Sequence, residues 1–261
     1  MESMRINSHS WADKLVIVTG GAAGIGLATV KVLAESGAKV IAIDINESRL
    51  ILATQQILGK HPVVPVALDI SSEEEVKTFF AKYSEESLCA LLNVAAILSP
   101  NVKLDDLESS DWDRVLAVNV KSIFLLSKYS LPLFERNQEG AIINVASVHA
   151  FASIPQTTAY AASKGAVLAL TRQLAIELAD RKIRVVGIAP GAVNTEMTTK
   201  GLTGGLDQLN DMGIPTDDRS IGRLAEPEEI ARAIIWAASA EASFVNGTTI
   251  VVDGGMISKL L

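Results

Sequence analysis

Residues 15 to 26 read Leu15-Val-Ile-Val-Thr-Gly20-Gly-Ala-Ala-Gly24-Ile-Gly26, and this stretch decides the fold. Leu15 to Val18 is continuous, apolar and rich in β-branched residues, the composition of a strand buried on both faces. It breaks into Gly20, Gly21, Gly24 and Gly26, and a helical pattern starts at Ile25. Glycines let the backbone turn sharply and bring its N–H groups close to a pyrophosphate, while the following helix directs its positive end at the same anion. The spacing Gly21 to Gly26 also fits a Walker loop, but Leu27 and Ala28 stand where Lys and Ser or Thr would be needed. A glycine cluster alone could still be an ordinary strand-to-helix turn.

The next strand favours the nucleotide. Val40-Ile-Ala-Ile-Asp44 is apolar and ends on a carboxylate 18 residues after Gly26, close to the offset of about 20 at which an acid meets an adenosine ribose. Asp44 would accept hydrogen bonds from both ribose hydroxyls and repel a 2′-phosphate. Ala22 and Ala23 place no basic side chain in the turn, so NAD is expected rather than NADP.

The rest of the chain repeats the pattern. Helices are expected over 25–36, 47–58, from about 71 to 84, 111–134, 158–179 and 228–238, with strands over 63–68, 90–94, 141–145, 184–188 and 248–252. This alternation predicts an α/β fold: one Rossmann-type, doubly wound parallel sheet of about seven strands, with helices on both faces. Ligands of such sheets lie beyond the carboxyl ends of the strands, where Gly20, Asp44, Asn93, Ser147 and Pro190 fall. Residues 1–12 read as a mobile N-terminal extension and 13–261 as a single catalytic domain, in which the irregular, glycine-rich stretch of about 192–222 reads as a substrate loop.

Composition narrows the function classes. The 261 residues are 49% hydrophobic and 20% charged with a net charge of −7, which disfavours nucleic acid and anionic membranes as partners. No run reaches the length of a membrane-spanning helix, and the start of the chain has no apolar signal segment. Cys89 is the only cysteine, so neither an internal disulfide nor a cysteine metal cluster can form. It reads as a buried, inert thiol. Trp112 and Trp236 read as packing residues, no His/Asp/Glu grouping has metal spacing, and a cytoplasmic location is expected.

Tyr160 and Lys164 are four apart in a predicted helix and so share one face. A neighbouring ammonium and the positive nicotinamide ring of an oxidised cofactor would both favour the tyrosinate, which could take a proton from an alcohol as hydride leaves its carbon. Ser147, thirteen residues earlier at a strand end, can hydrogen-bond the same oxygen. Alone, this spacing describes any helix with a packed tyrosine and a surface lysine. Beside the glycine turn and Asp44 it points to dehydrogenase chemistry.

In these motifs the chain resembles the short-chain dehydrogenase/reductase family over nearly its whole length. The resemblance rests on Thr19-Gly-Gly-Ala-Ala-Gly-Ile-Gly26, Asn93-Val-Ala-Ala96, Asn119, Ser147, Tyr160-Ala-Ala-Ser-Lys164, Pro190-Gly191 and Val245-Asn-Gly-Thr-Thr-Ile-Val-Val-Asp-Gly-Gly255. Ala96 and Val94 depart from the family's Asn-Asn-Ala-Gly strand end. The resemblance implies a catalytic set of Asn119, Ser147, Tyr160 and Lys164. Tyr160 would be the acid/base and Ser147 would steady the substrate oxygen. Lys164 would lower the tyrosine pKa and bind the nicotinamide ribose, and Asn119 would hold a relay water. It also implies that Asp69 and Ile70 meet the adenine, that Asn93 and Ala95 line the cofactor, and that Thr195 bonds the nicotinamide amide. Further cofactor contacts are expected at Gly20, Ala23, Gly24, Ile25, Gly26, Ile45, Pro190, Gly191 and Val193.

His149 either meets substrate hydroxyls together with Ser147 and Tyr160 or is a loop histidine without a role. The expected activity is NAD-dependent hydride transfer from a secondary alcohol such as a sugar or polyol, a class suggested by the polar residues His149, Ser153, Gln156, Asn194 and Glu196. A carbonyl reductase of the 3-oxoacyl-carrier-protein reductase type is the alternative, and a non-catalytic NAD-binding protein a third. The expected partners are a small-molecule substrate and further copies of the chain, as a homotetramer or homodimer.

Overall fold

The computed structural model describes residues 11–199 and 223–258. In chain order the elements begin with β1 (Leu15–Thr19), α1 (Gly24–Glu35), β2 (Lys39–Asp44), α2 (Glu47–Thr54), β3 (Val64–Ala67), α3 (Glu73–Lys82) and β4 (Leu88–Asn93). They continue with α4 (Ser109–Leu116), a π-helical turn (Ala117–Lys121), α5 (Ser122–Asn137), β5 (Gly140–Val145), α6 (Thr158–Glu177) and β6 (Ile183–Pro190). A short α7 (Glu196–Thr199), α8 (Pro227–Ala238) and β7 (Thr249–Val252) complete the described chain. All strands run parallel in one seven-stranded sheet of order β3-β2-β1-β4-β5-β6-β7. This is the expected doubly wound α/β architecture. The strand order reverses between β1 and β4, which opens a crevice at their carboxyl ends.

Alternation along the buried strands divides the core into two layers. Leu15, Ile17, Ile41 and Ile43 face one layer, filled by Phe79, Phe80, Leu126, Phe134 and Val167 of α3, α5 and α6. Val16, Val18, Val40 and Ala42 face the other, where α1 supplies Val30 and Leu33 and α8 supplies Ile230 and Ile234. Because both layers are apolar, β1 carries no polar position until Thr19. Arg184 closes one end of the second layer: its guanidinium donates to the carbonyls of Ala237 at 2.9 Å and Ser239 at 2.9 Å, satisfying carbonyls at the C-terminal end of α8.

Several boundaries differ from the sequence reading. The single helix expected over 111–134 is two helices joined by the π turn that carries Asn119. The second helix stops at Thr54, whose hydroxyl bonds back to the Leu50 carbonyl at 2.8 Å. Trp11, assigned to the mobile extension, is 1% exposed and packs into the second layer, so the ordered domain includes it. Trp236 is 37% exposed instead of packed within the core. Residues 1–10 lie outside the described residues, as does 200–222, most of the expected substrate loop. Among the described residues no helix is long and apolar enough to cross a membrane.

Candidate functional site

The glycine turn places the backbone of β1 against the end of β4. Gly20 has φ +72°, and a Cβ there would stand 3.0 Å from Ala95 Cα, so only glycine makes this close approach without strain. The Thr19 hydroxyl ties the same two strands together, accepting from Val94 N at 3.0 Å and Ala95 N at 3.1 Å. A Cβ on Gly26 would meet the Gly20 carbonyl oxygen at 2.0 Å. Gly26→Ala must therefore push α1 off β1. We expect it to destabilise the fold by about 3 kcal/mol, as read by thermal melts.

α1 opens into a cleft of 710 Å³ along the carboxyl edge of the sheet. Its N-cap, Ala23, offers no side-chain cap, and its first turn carries no acidic residue. The N–H groups of a twelve-residue helix are thus left for an anion, with the dipole favouring it. Gly20, Ala23, Gly24, Ile25 and Gly26 line this part of the cleft. Asp44 and Ile45 form the next stretch of wall, followed by Asp69 and Ile70. The Asp44 carboxylate is fixed by backbone donors, Ala22 N at 3.1 Å and Asn46 N at 3.0 Å. Asp69 is fixed through Ser71, whose N–H and hydroxyl both donate to its Oδ1. A bare helix N-terminus, a glycine-lined floor and a held carboxylate together fit a dinucleotide.

At the other end Ala95, Ser147, Tyr160, Lys164, Pro190, Gly191, Val193 and Thr195 line the same cleft. Lys164 is 2% exposed, and its ammonium donates to the Val145 carbonyl at 2.8 Å. Burial lowers its pKa to about 7. Burial also raises the pKa of Tyr160, although the Ser147 hydroxyl, hydrogen-bonding to it, pulls the other way. The Lys164 nitrogen stands 5.5 Å from the Tyr160 ring centroid. Desolvation is the larger influence on both groups, and at the phenol only the Ser147 hydrogen bond opposes it.

Three expected site residues, Asn93, Asn119 and His149, do not line the cleft. Asn93 is 3% exposed and donates its amide to Asn144 Oδ1 at 2.8 Å; Asn144 in turn donates to Thr171 at 3.0 Å. Asn93 locks β4 to β5 and α6, while its own Oδ1 is buried without a partner among the described residues. Asn119 accepts from Ile97 N at 2.8 Å and donates to Ile97 O at 2.9 Å and Ser163 at 3.1 Å. Both amide hydrogens are used in fastening the loop after β4 to α6, so this side chain keeps no N–H for a water.

His149 packs edge-on against Tyr160, with ring centroids 5.4 Å apart at 77°. Burial lowers its pKa, its Nδ1 is buried without a partner, and its backbone N–H donates to Ser147 Oγ at 3.2 Å. Its ring thus packs one side of the corner formed by Ser147 and Tyr160. Of the polar residues thought to suit a sugar, only Glu196 lines the cleft among the described residues; Ser153 and Asn194 bond elsewhere, to His149 O and Glu226. Sequence reasoning missed Thr19, Asn144, Thr171 and the cleft-lining Arg114. A threonine closing an otherwise apolar strand was the one visible signal among them.

A family model described as Enoyl-(Acyl carrier protein) reductase matches residues 20–257. The 3-oxoacyl-(acyl-carrier-protein) reductase of Thermotoga maritima is 36% identical over 249 residues, covering 94% of this chain and 98% of that protein. The cyclopentanol dehydrogenase of Comamonas sp. is 37% identical over 250 residues, covering 93% of this chain and 96% of that protein. A solved structure of a short chain dehydrogenase/reductase family protein superimposes with a TM-score of 0.84 at 29% identity, covering 96% of this chain and all of the other. Agreement of this extent, in sequence and in the course of the whole sheet, means that the chain belongs to the short-chain dehydrogenase/reductase family, oxidoreductases that act on CH–OH groups with nicotinamide cofactors.

Proposed function

We propose that the chain oxidises a secondary alcohol with NAD, using Tyr160 as acid/base. The observation that carries this reading is the sharing of one cleft by the open N-terminus of α1, the fixed Asp44 carboxylate and the Ser147, Tyr160 and Lys164 group. Bound nicotinamide supplies the hydride acceptor. The chain's own residues do the rest. Ser147 and Tyr160 bracket the alcohol oxygen, Tyr160 takes its proton, and Lys164 supplies positive charge behind the phenol. Asn119 holds the loop and helix that set this corner, and its main chain carries the relay water. Asp69 and Ile70 flank the adenine, and Thr195 reaches the nicotinamide amide.

The cyclopentanol dehydrogenase relative and the scarcity of polar groups at the described substrate end support a compact secondary alcohol, with ring alcohols the first to try. The 3-oxoacyl-(acyl-carrier-protein) reductase relative supports a second reading, the reverse reaction on a carbonyl. We further propose a cytoplasmic homodimer or homotetramer. The exposed Phe124 and Ile176, on α5 and α6, support helix packing between copies, and sedimentation showing only monomer would remove this part.

The test is absorbance at the reduced-nicotinamide band with NAD or NADP and a panel of cyclic alcohols, sugars and polyols. NAD-dependent growth with one alcohol class is expected. Faster turnover of carbonyls with NADPH than with NADH would move the assignment to reductase. Asp44→Asn, which can keep an acceptor for the two backbone N–H groups but loses the charge, should raise the NADP/NAD preference about tenfold in kcat/KM, because like-charge repulsion of a 2′-phosphate is removed.

A further inference from the structure

We propose that Arg49 and Glu196 form a clasp over the dinucleotide cleft that sets how long the cofactor stays bound. Arg49 lies in the first turn of α2, five residues after Asp44. Glu196 opens α7 directly after Thr195 and lines the cleft. The two are 147 residues apart in sequence and follow β2 and β6, strands separated in the sheet by β1, β4 and β5. Their side chains nevertheless meet side-on: Nη1 donates to Oε2 at 3.1 Å and Nη2 to Oε1 at 2.5 Å. Two parallel bonds from a planar guanidinium fix orientation as well as distance.

Each half of the pair is anchored to one end of the proposed cofactor path. On the α2 side, Asn46 caps the helix by accepting from Arg49 N at 3.0 Å, and the Asn46 N–H holds Asp44. On the α7 side, Asn194 N donates to Ala225 O at 2.8 Å. Thr195 packs against the glycine turn so closely that a Cβ on Gly24 would meet its Cγ2 at 3.1 Å. The adenosine carboxylate and the nicotinamide threonine therefore each sit beside one jaw. On this proposal a dinucleotide stretched from Asp44 to Thr195 passes beneath the pair, which Glu196 joins to the cleft wall, and leaves when the jaws part. The side chains are 41% and 64% exposed, so the closure is weak and sensitive to salt, as suits a ligand that must be exchanged at every turnover.

This inference rests on the NAD reading above, and its test separates the two. NADH prebound to the native chain is displaced by excess NAD in a stopped-flow fluorimeter, and the release rate is compared with Arg49→Gln, Glu196→Gln, the double variant and the reversed pair Arg49→Glu with Glu196→Arg. Each single variant is expected to release NADH about fivefold faster. The double should release it no faster than the singles, and the reversed pair should recover part of the native rate. Native release should quicken from about 0.02 to about 0.5 M salt while the single variants stay flat. Release rates indifferent to the pair, or effects that simply add in the double variant, would overturn the clasp alone. Failure of the native chain to bind NADH or NADPH at all would overturn the dinucleotide reading and the clasp with it.

Discussion

Tyr160→Phe is expected to lower alcohol oxidation about 10³-fold in kcat while NADH still binds within about twofold of the native affinity. The variant removes one oxygen and keeps the ring. The edge contact with His149 and the position over Lys164 depend on that ring, so the corner should keep its shape. Loss of rate with binding retained is the signature of a group that acts on the reacting proton. Comparable losses in NADH affinity and rate would instead make Tyr160 a wall of the cleft. The pH profile adds a second signature. Burial raises the Tyr160 pKa in the chain alone, and the base form is the one that accepts the alcohol proton, so native oxidation should speed up as pH rises toward 7, while Lys164 still carries its charge. Carbonyl reduction, which needs the phenol, should slow over the same range.

The part of this site that could be read from the sequence is local. β1 runs straight into its glycines, Asp44 ends the next strand, and Tyr160 and Lys164 lie one helical turn apart; each of these signals sits in a few consecutive residues. The hidden part depends on distance along the chain. Nothing near Asn93 announces that its amide will be held by Asn144 and that amide by Thr171, because a buried polar group can find its partner on any neighbouring element. The same holds for Asn119, which grips Ile97 across 22 residues, and for Arg49 and Glu196. Helical periodicity over 111–134 was real, yet it could not show that a π turn interrupts the helix, since one extra residue per turn barely disturbs an apolar stripe. Trp11 shows the opposite error. A polar start reads as loose, but a single large ring followed by Asp13, which accepts from Lys60 at 2.6 Å, is enough to fix the chain's entry into the domain.

Lys164→Met should make the protein more stable while nearly silencing it. The native ammonium is fully buried and bonded to one carbonyl, and its pKa falls from the ordinary 10.5 to about 7. In the unfolded chain the same lysine holds its proton up to a pH of about 10. Between those limits the unfolded state binds more protons than the folded one, so native stability rises with pH across the window, and below pH 7 folding carries the full penalty of a buried charge. Methionine fills a similar volume without that charge. The variant should therefore gain about 1–4 kcal/mol over the native chain at pH 7, part of the gain being offset by the Val145 carbonyl left without its donor. The gain should shrink steadily toward pH 9.5, where the folded native lysine is neutral and the unfolded one is nearing its own pKa. Denaturant melts at pH 7, 8 and 9.5 measure this difference, and a gain that does not change with pH would mean that Lys164 is neutral in the fold for another reason. Activity should move the other way, with turnover falling about 10²-fold or more at pH 7 and below, where the native chain has an ammonium behind Tyr160 and the variant has none. With both outcomes Lys164 would be a residue held in place by the reaction rather than by the fold.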